Sequence, residues 1–124
     1  MQYILSEPLI SKNKPDPTIT ADVGLGVGGT ATVIGTDTAG EITLTTGLIP
    51  VAFSTLCRMT YSIAFPVNKG IATLTAANNK AAALSITGDV FVTCFQANFR
   101  IESTIVLPAS TTFVWNYHVI GYEN

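Results

Sequence analysis

Thr111-Thr112-Phe113-Val114-Trp115-Asn116-Tyr117-His118-Val119-Ile120 carries a large apolar side chain at every second position from Phe113 to Val119. Thr112, Asn116 and His118 occupy alternate positions on the other face. Successive side chains of a β-strand point to opposite faces, so this period of two predicts a strand with one face in a core and the other toward water.

Shorter segments with related patterns precede it along the chain. Glu41–Thr46 alternates apolar residues with threonines, and Val51–Phe65 alternates most clearly from Cys57 onward. The predicted strands are 18–23, 30–34, 41–46, 51–65, 71–75, 84–86, 90–96, 98–104 and 111–122. Ala76–Ala83 lacks an apolar stripe beyond alanine, so a loop with a short turn is favoured over one or two helical turns. About eight to ten short strands predict an all-β antiparallel sandwich of jelly-roll-like type.

The first 17 residues differ from the rest of the chain. Prolines at positions 8, 15 and 17 prevent a helix and interrupt sheet pairing. We therefore predict an extended N-terminal arm over 1–17 and a sandwich domain over 18–124. Docking of the arm on the body or on a neighbour is favoured over a flexible terminus, because exposed apolar side chains are costly in water. The candidate contact residues are its apolar ones: Tyr3, Ile4, Leu5, Leu9 and Ile10.

The chain is poor in charge. Charged residues make up 11% of the 124 residues, against about 25% in typical soluble domains. Either other subunits cover part of the surface, or well-hydrated threonines tolerate the low charge; composition leaves both open. The six basic residues are scattered and the net charge is −2, so no nucleic-acid partner is expected. No apolar run approaches the roughly 20 residues of a membrane span, and the start of the chain does not resemble a signal peptide.

Residues suited to catalysis or metal binding occur singly. The glycine run Gly24–Gly29 precedes a predicted strand, whereas a dinucleotide loop precedes a helix, so a flexible or bulged connection is expected. His118 is the one histidine, and Cys57 and Cys94 do not complete a zinc site with it. Both cysteines are interpreted as small buried residues, and Asp37 as a cap of its own turn. We expect no enzymatic activity, no catalytic residues, no metal and no cofactor.

Three stretches resemble small β-sandwich domains of phage tail-fibre, head-fibre and virion-surface proteins. They are 17–33, which contains the glycine run, 35–47, which begins Gly35-Thr36-Asp37-Thr38-Ala39-Gly40, and the closing 107–120. With 84–93, the resemblance covers about residues 17–121. It implies a structural or adhesive role on a virion, commonly as homotrimers around a three-fold axis, without catalysis.

Three functional hypotheses follow. The first is a decoration or cement protein or an accessory fibre subunit. It would be made in the host cytoplasm and placed on the particle surface, with capsid or tail proteins as partners. The short arm favours this hypothesis over a complete fibre. The second is a receptor-binding tip that recognises a host glycan or surface protein through exposed aromatics. Tyr122 and Phe53 are its candidates, although Phe53 is expected in the core. The third is a hydrolase of cell-surface polymer, which needs paired carboxylates that the sequence does not place together.

Overall fold

A computed structural model describes residues 16–65 and 68–121. The proposed contact residues of the arm, Tyr3, Ile4, Leu5, Leu9 and Ile10, lie outside the described residues, as does Tyr122. The described chain forms two four-stranded antiparallel sheets packed face to face, which confirms the predicted all-β sandwich.

Each sheet takes strands from both halves of the chain. The strands are β1 (Thr18–Ala21), β2 (Thr30–Gly35), β3 (Ala39–Thr45), β4 (Ser54–Thr60), β5 (Ile71–Ala76), β6 (Val90–Cys94), β7 (Asn98–Ser103) and β8 (Thr112–Ile120). Sheet I has the order β1-β4-β7-β6, and sheet II has the order β2-β3-β8-β5. Only β2–β3 and β6–β7 are sequence neighbours paired within one sheet, so the other connections cross between the sheets.

The alternation in the closing segment is confirmed in β8. Phe113, Trp115, Tyr117 and Val119 are all buried, and the residues between them are half-buried or exposed. β8 lies between β3 and β5, so its inward side chains occupy the middle of sheet II. From sheet I, Phe99 meets Tyr117 with ring centroids 5.9 Å apart, which joins the two layers through aromatic contact.

β4 departs from strict alternation and is shorter than predicted. Leu56 and Cys57 are consecutive, yet both are fully buried, because the pairing with β7 shifts register between Thr55 and Cys57. Such a bulge turns two neighbouring side chains to the same face. The strand ends at Thr60, so Ile63, predicted to continue the apolar face, is instead exposed in the following loop.

The alanine-rich segment forms a helix, so the prediction of a loop there was wrong. Helix α1 covers Asn79–Thr87 and includes residues 84–86, which were predicted to be a strand. The Asn78 side chain caps its start by accepting a hydrogen bond from the Ala81 amide at 2.9 Å. Gly88 ends the helix as its C-cap in the left-handed conformation.

Candidate docking surface

Three loops meet at one end of the sandwich, which we call the loop end: residues 22–29, 46–53 and 104–111. β1 and β3 finish here, and β2, β4 and β8 begin here. The loops are joined by backbone hydrogen bonds, from Val51 N–H to Gly24 O at 3.3 Å and from Ser110 N–H to Gly47 O at 3.2 Å. The loop end is therefore a continuous structure rather than three separate turns.

The glycine run is a packed part of this structure. Its first two residues form one 3₁₀ turn with the preceding Val23, and the Asp22 carboxylate caps this turn by accepting the Val23 N–H at 2.8 Å. Leu25 is fully buried beneath the loop. A Cβ on Gly47 would lie 1.9 Å from the Val27 carbonyl oxygen, so the two loops approach closely only with glycine there. Strand β2 follows the run, as predicted, and no helix begins there to hold a phosphate.

Apolar side chains cover the outside of the loop end. Phe53 is 83% exposed, Ile49 is 79% exposed and Val27 is 73% exposed. We use the name apolar end surface for the large exposed apolar residues of two of these loops, 22–29 and 46–53: Val23, Val27, Leu48, Ile49, Val51 and Phe53. Part of it lines a groove of about 590 Å³ between the glycine run and the β3–β4 loop. Exposed apolar side chains grouped around a groove make this surface the candidate docking surface.

The apolar end surface has almost no charge. Asp22 is the one charged residue in 22–29 and 46–53, and its carboxylate already caps the 3₁₀ turn. Pro50 is buried between its exposed neighbours, so it anchors the loop while the adjacent side chains project outward. The arrangement suits an apolar partner and offers little to a charged one.

Two residues of this surface have strained backbones. Ile49 has φ 57° and Phe53 has φ 53°, in the left-handed region that is sterically unfavourable for β-branched and bulky residues. Ile49 also precedes Pro50, whose ring restricts its conformation further. Glycine or asparagine would adopt these angles at lower cost. Burial does not compensate the cost of these conformations, because both side chains are exposed, so the two residues are candidates for a contact.

The expectation that Phe53 belongs to the core was wrong. The sequence predicts a strand that starts at Val51, whereas β4 begins at Ser54 and the residues before it form a loop. The signal in the sequence is the run Leu48–Phe53, where four large apolar residues surround Pro50 without alternating. A strand with one solvent face does not produce that pattern.

Asp37 acts over a longer range than the sequence indicated. The turn between β2 and β3 is closed by Thr36, whose Oγ1 accepts the Thr38 and Ala39 amides at 3.3 Å each. The Asp37 carboxylate instead accepts the Ser62 N–H at 2.7 Å and the Ile63 N–H at 3.1 Å. Asp37 therefore ties the β2–β3 turn to the β4–β5 loop, at the end opposite the loop end.

Other acidic side chains also have structural partners. Glu102 Oε2 accepts the Thr93 hydroxyl at 2.6 Å across the β6–β7 pair, and Asp89 Oδ2 accepts the Thr87 hydroxyl at 2.5 Å after helix α1. Among residues 16–65 and 68–121, no group of three His, Cys, Asp or Glu side chains is placed to hold a metal ion. His118 is exposed on the outer face of β8.

Both cysteines are free thiols. Cys57 is buried, and burial raises its pKa to about 12, so it stays protonated at neutral pH. Cys94 is half-buried on edge strand β6, where its Sγ accepts the Ala72 N–H at 3.4 Å. The two thiols act as packing groups in the structure.

Comparisons with protein-family models, with curated proteins and with solved structures find no match. Within the described ranges, no helix is both long enough and apolar enough to cross a membrane.

Proposed function

We propose that this chain is a structural subunit of a phage particle, a decoration or cement protein or an accessory fibre subunit, which acts by oligomerising and by docking on the particle. The apolar end surface is the observation that carries the proposal. Its six exposed apolar residues and its strained backbone fit a contact between proteins. In this proposal the chain has no catalytic role and needs no cofactor.

The position of Thr18, where the N-terminal segment joins the body, supports a second contact. Thr18, the first residue of β1, pairs with Thr60 at the end opposite the apolar end surface. Fifteen extended residues span at most about 50 Å. An arm that leaves from this side can therefore reach a neighbour with Tyr3, Ile4 and Leu5, while the apolar end surface contacts a different one. Extended segments bind partners in this way through backbone pairing and shallow pockets.

The outer face of sheet II supports close packing of identical subunits. Threonines are paired across β2 and β3, Thr30 with Thr45 and Thr32 with Thr43. The Thr45 and Thr112 hydroxyls lie 3.0 Å apart across β3 and β8. The side chains at these positions are branched and neutral, so another sheet can approach this part of the face without charge repulsion. The resemblance to fibre and virion-surface domains favours a trimer as the assembled state.

Sedimentation of a strain-relieving variant tests the proposal. Ile49→Asn combined with Phe53→Asn removes two exposed apolar side chains at positions where asparagine suits the backbone. We expect wild-type protein to sediment as an oligomer at micromolar concentration, and the double variant to shift toward monomer without loss of thermal stability. Ile71→Asn, on the edge strand β5, is the matched control and should keep the oligomer. A wild-type chain that stays monomeric at high concentration contradicts the proposal.

Copy number on purified particles tests the particle contact. Deletion of residues 1–14 leaves every described strand intact, so we expect a folded body that no longer binds particles. The control is a variant with Tyr3, Ile4 and Leu5 changed to serine, which keeps the length of the arm. Full occupancy by the truncated chain would show that the arm is not needed.

A receptor-binding tip is the second candidate function, and the exposure of Phe53 favours it. The ring is 83% exposed, as an aromatic contact residue would be. However, its neighbours at the loop end are apolar, whereas a sugar also needs hydrogen-bond donors and acceptors. Phe53 therefore suits a protein partner better than a glycan. Binding of the isolated protein to a glycan array would favour the tip hypothesis, and stoichiometric capsid copies would favour decoration.

A further inference from the structure

We propose that the outer face of sheet I binds an acidic polysaccharide through Arg58 and Arg100. The inference develops the second candidate function and does not depend on assembly through the apolar end surface. Thr20 pairs with Arg58, Arg58 pairs with Arg100, and Arg100 pairs with Thr93, so one row crosses all four strands.

This row brings together two positive charges that are far apart in the sequence. Arg58 and Arg100 are 42 positions apart (100 − 58) but directly opposite on neighbouring strands. Like charges directly opposite each other destabilise a sheet. Neither guanidinium forms an ion pair or hydrogen bond with any residue of the described segments. The fold thus tolerates an unfavourable pair of cations, which an anionic ligand would turn into a favourable contact.

Arg100 is held in place on an aromatic ring. Its guanidinium carbon lies 4.9 Å from the ring centroid of Phe95, a cation–π contact. Its Nε is buried without a hydrogen-bond partner, so hydrogen bonding to a ligand falls to its terminal nitrogens. Stacking limits the freedom of the side chain, and a preorganised guanidinium binds a carboxylate with less loss of entropy.

Aromatic and polar side chains share the outer face of sheet I with the arginines. Val90, Val92 and Cys94 pack against the core, so the alternate residues of β6 face outward. Phe91 and Phe95 are 47% and 38% exposed, respectively. Sugar rings stack on aromatic faces, their hydroxyls bond to polar side chains, and their carboxylates pair with arginine. Glu102 lies two positions from Arg100 on the same face of β7 and accepts a hydrogen bond from Thr93, while the row itself contains two arginines and two threonines.

The mixture of groups favours a polysaccharide over an acidic peptide. A peptide that adds to a sheet uses backbone groups on an open strand edge. Arg58 and Arg100 lie on the two inner strands of sheet I, β4 and β7, whose backbone groups already pair on both sides. Only side chains are available there, and those that are exposed combine aromatic rings, hydroxyls and cations.

Binding of polygalacturonate, measured by calorimetry on the full chain, tests the inference. Dextran sulfate distinguishes sulfate from carboxylate as the recognised group, and neutral dextran measures the uncharged background. We expect Arg58→Ala to weaken binding of the preferred polymer at least 10-fold. Arg100→Lys should do the same although it keeps the charge, because lysine loses the planar fork and the stacked geometry. Phe95→Leu should weaken binding several-fold.

Lys80→Ala is the matched control, because it removes an exposed positive charge from helix α1 and should leave affinity unchanged. Polyglutamate of similar charge density separates sugar recognition from charge attraction. Equal binding of polyglutamate, or full binding by Arg100→Lys, would overturn the assignment to a polysaccharide. Absence of binding to both anionic polysaccharides would overturn the site itself. Since Arg58 is exposed, its variant is expected to fold, and thermal melting verifies this.

Discussion

Asp37 holds Ser62 by two hydrogen bonds, from the Ser62 amide at 2.7 Å and from its hydroxyl at 2.8 Å. The carboxylate belongs to a turn of sheet II, and Ser62 belongs to the loop that leaves sheet I. Sheets in a sandwich share no backbone ladder, so this contact supplies a polar link that apolar packing alone does not provide. It closes the sandwich opposite the loop end.

Removal of the Asp37 carboxylate should lower the stability of the fold. Hydrogen bonds to a charged acceptor contribute about 1.5–3 kcal/mol, and we expect Asp37→Ala to lower the free energy of unfolding by about 2–3 kcal/mol. Urea denaturation gives the value directly. Glu41→Ala is the control, because Glu41 is exposed on the neighbouring strand and should stay within about 0.5 kcal/mol of wild type. Equal stability of the two variants would show that Asp37 contributes no more than an ordinary surface acid.

Asn78 should stabilise both helix α1 and its contact with β8. Its Oδ1 accepts the Ala81 and Val114 amides at 2.9 and 3.2 Å, and its Nδ2 donates to the Thr112 carbonyl at 3.0 Å. We expect Asn78→Ala to cost about 2–3 kcal/mol, more than the roughly 1 kcal/mol of an ordinary N-cap. Asn78→Asp keeps the acceptor oxygens and loses the donor. The stability of this variant should therefore fall between that of the wild type and that of Asn78→Ala. Thermal unfolding would contradict this interpretation if the aspartate variant were no better than alanine.

Ile49 should be a position where a substitution increases stability. A left-handed conformation costs a non-glycine residue about 1–2 kcal/mol, and the exposed side chain of Ile49 gains little burial in return. Ile49→Asn alone is therefore expected to raise the free energy of unfolding by about 1 kcal/mol in the monomer. Val27→Asn is the comparison, since it removes an equally exposed apolar side chain without relieving strain. A loss of stability in Ile49→Asn would mean that the side chain packs in the isolated subunit.

Alkaline pH should destabilise the fold before the chain is chemically damaged. Burial raises the pKa of Tyr117 from 10.0 to about 12 and that of Cys57 from 9.0 to about 12, and it also raises that of Tyr61. The folded state favours the protonated forms, so this stability is complete below the unfolded pKa values and is lost as pH rises toward 12. Each group ionised only in the unfolded chain lowers the free energy of unfolding by up to about 1.4 kcal/mol per pH unit.

Tyrosine absorbance and circular dichroism, recorded together from pH 9 to 12.5, measure the alkaline transition. Two of the four tyrosines should ionise only as the sheet signal disappears. Tyr117→Phe is the informative variant, because it removes the hydroxyl that donates to the Thr36 carbonyl while keeping the ring. It should begin less stable at neutral pH and lose stability less steeply above pH 10. Ionisation of all four tyrosines near pH 10 with the sheets intact would refute this.

The sequence was sufficient to predict features that depend on residues adjacent in the chain. The alternation from Phe113 to Val119 predicted β8 and its buried face, because side-chain direction in a strand follows from local backbone geometry. It was insufficient where local preferences compete. Helix α1 has only a weak apolar stripe, and its start and end are set by Asn78 and Gly88. The alternation of apolar residues therefore gave no helical signal, and the prediction of a loop there was wrong.

Only the tertiary structure decided the candidate sites. Whether Phe53 is buried depends on where β4 begins, and whether Arg58 faces Arg100 depends on the register of two strands far apart in sequence. Register and loop conformation arise from packing summed over the whole sandwich, including the bulge after Thr55. Local alternation constrains which face a residue takes, whereas its partners across the sheet are set by contacts between distant segments.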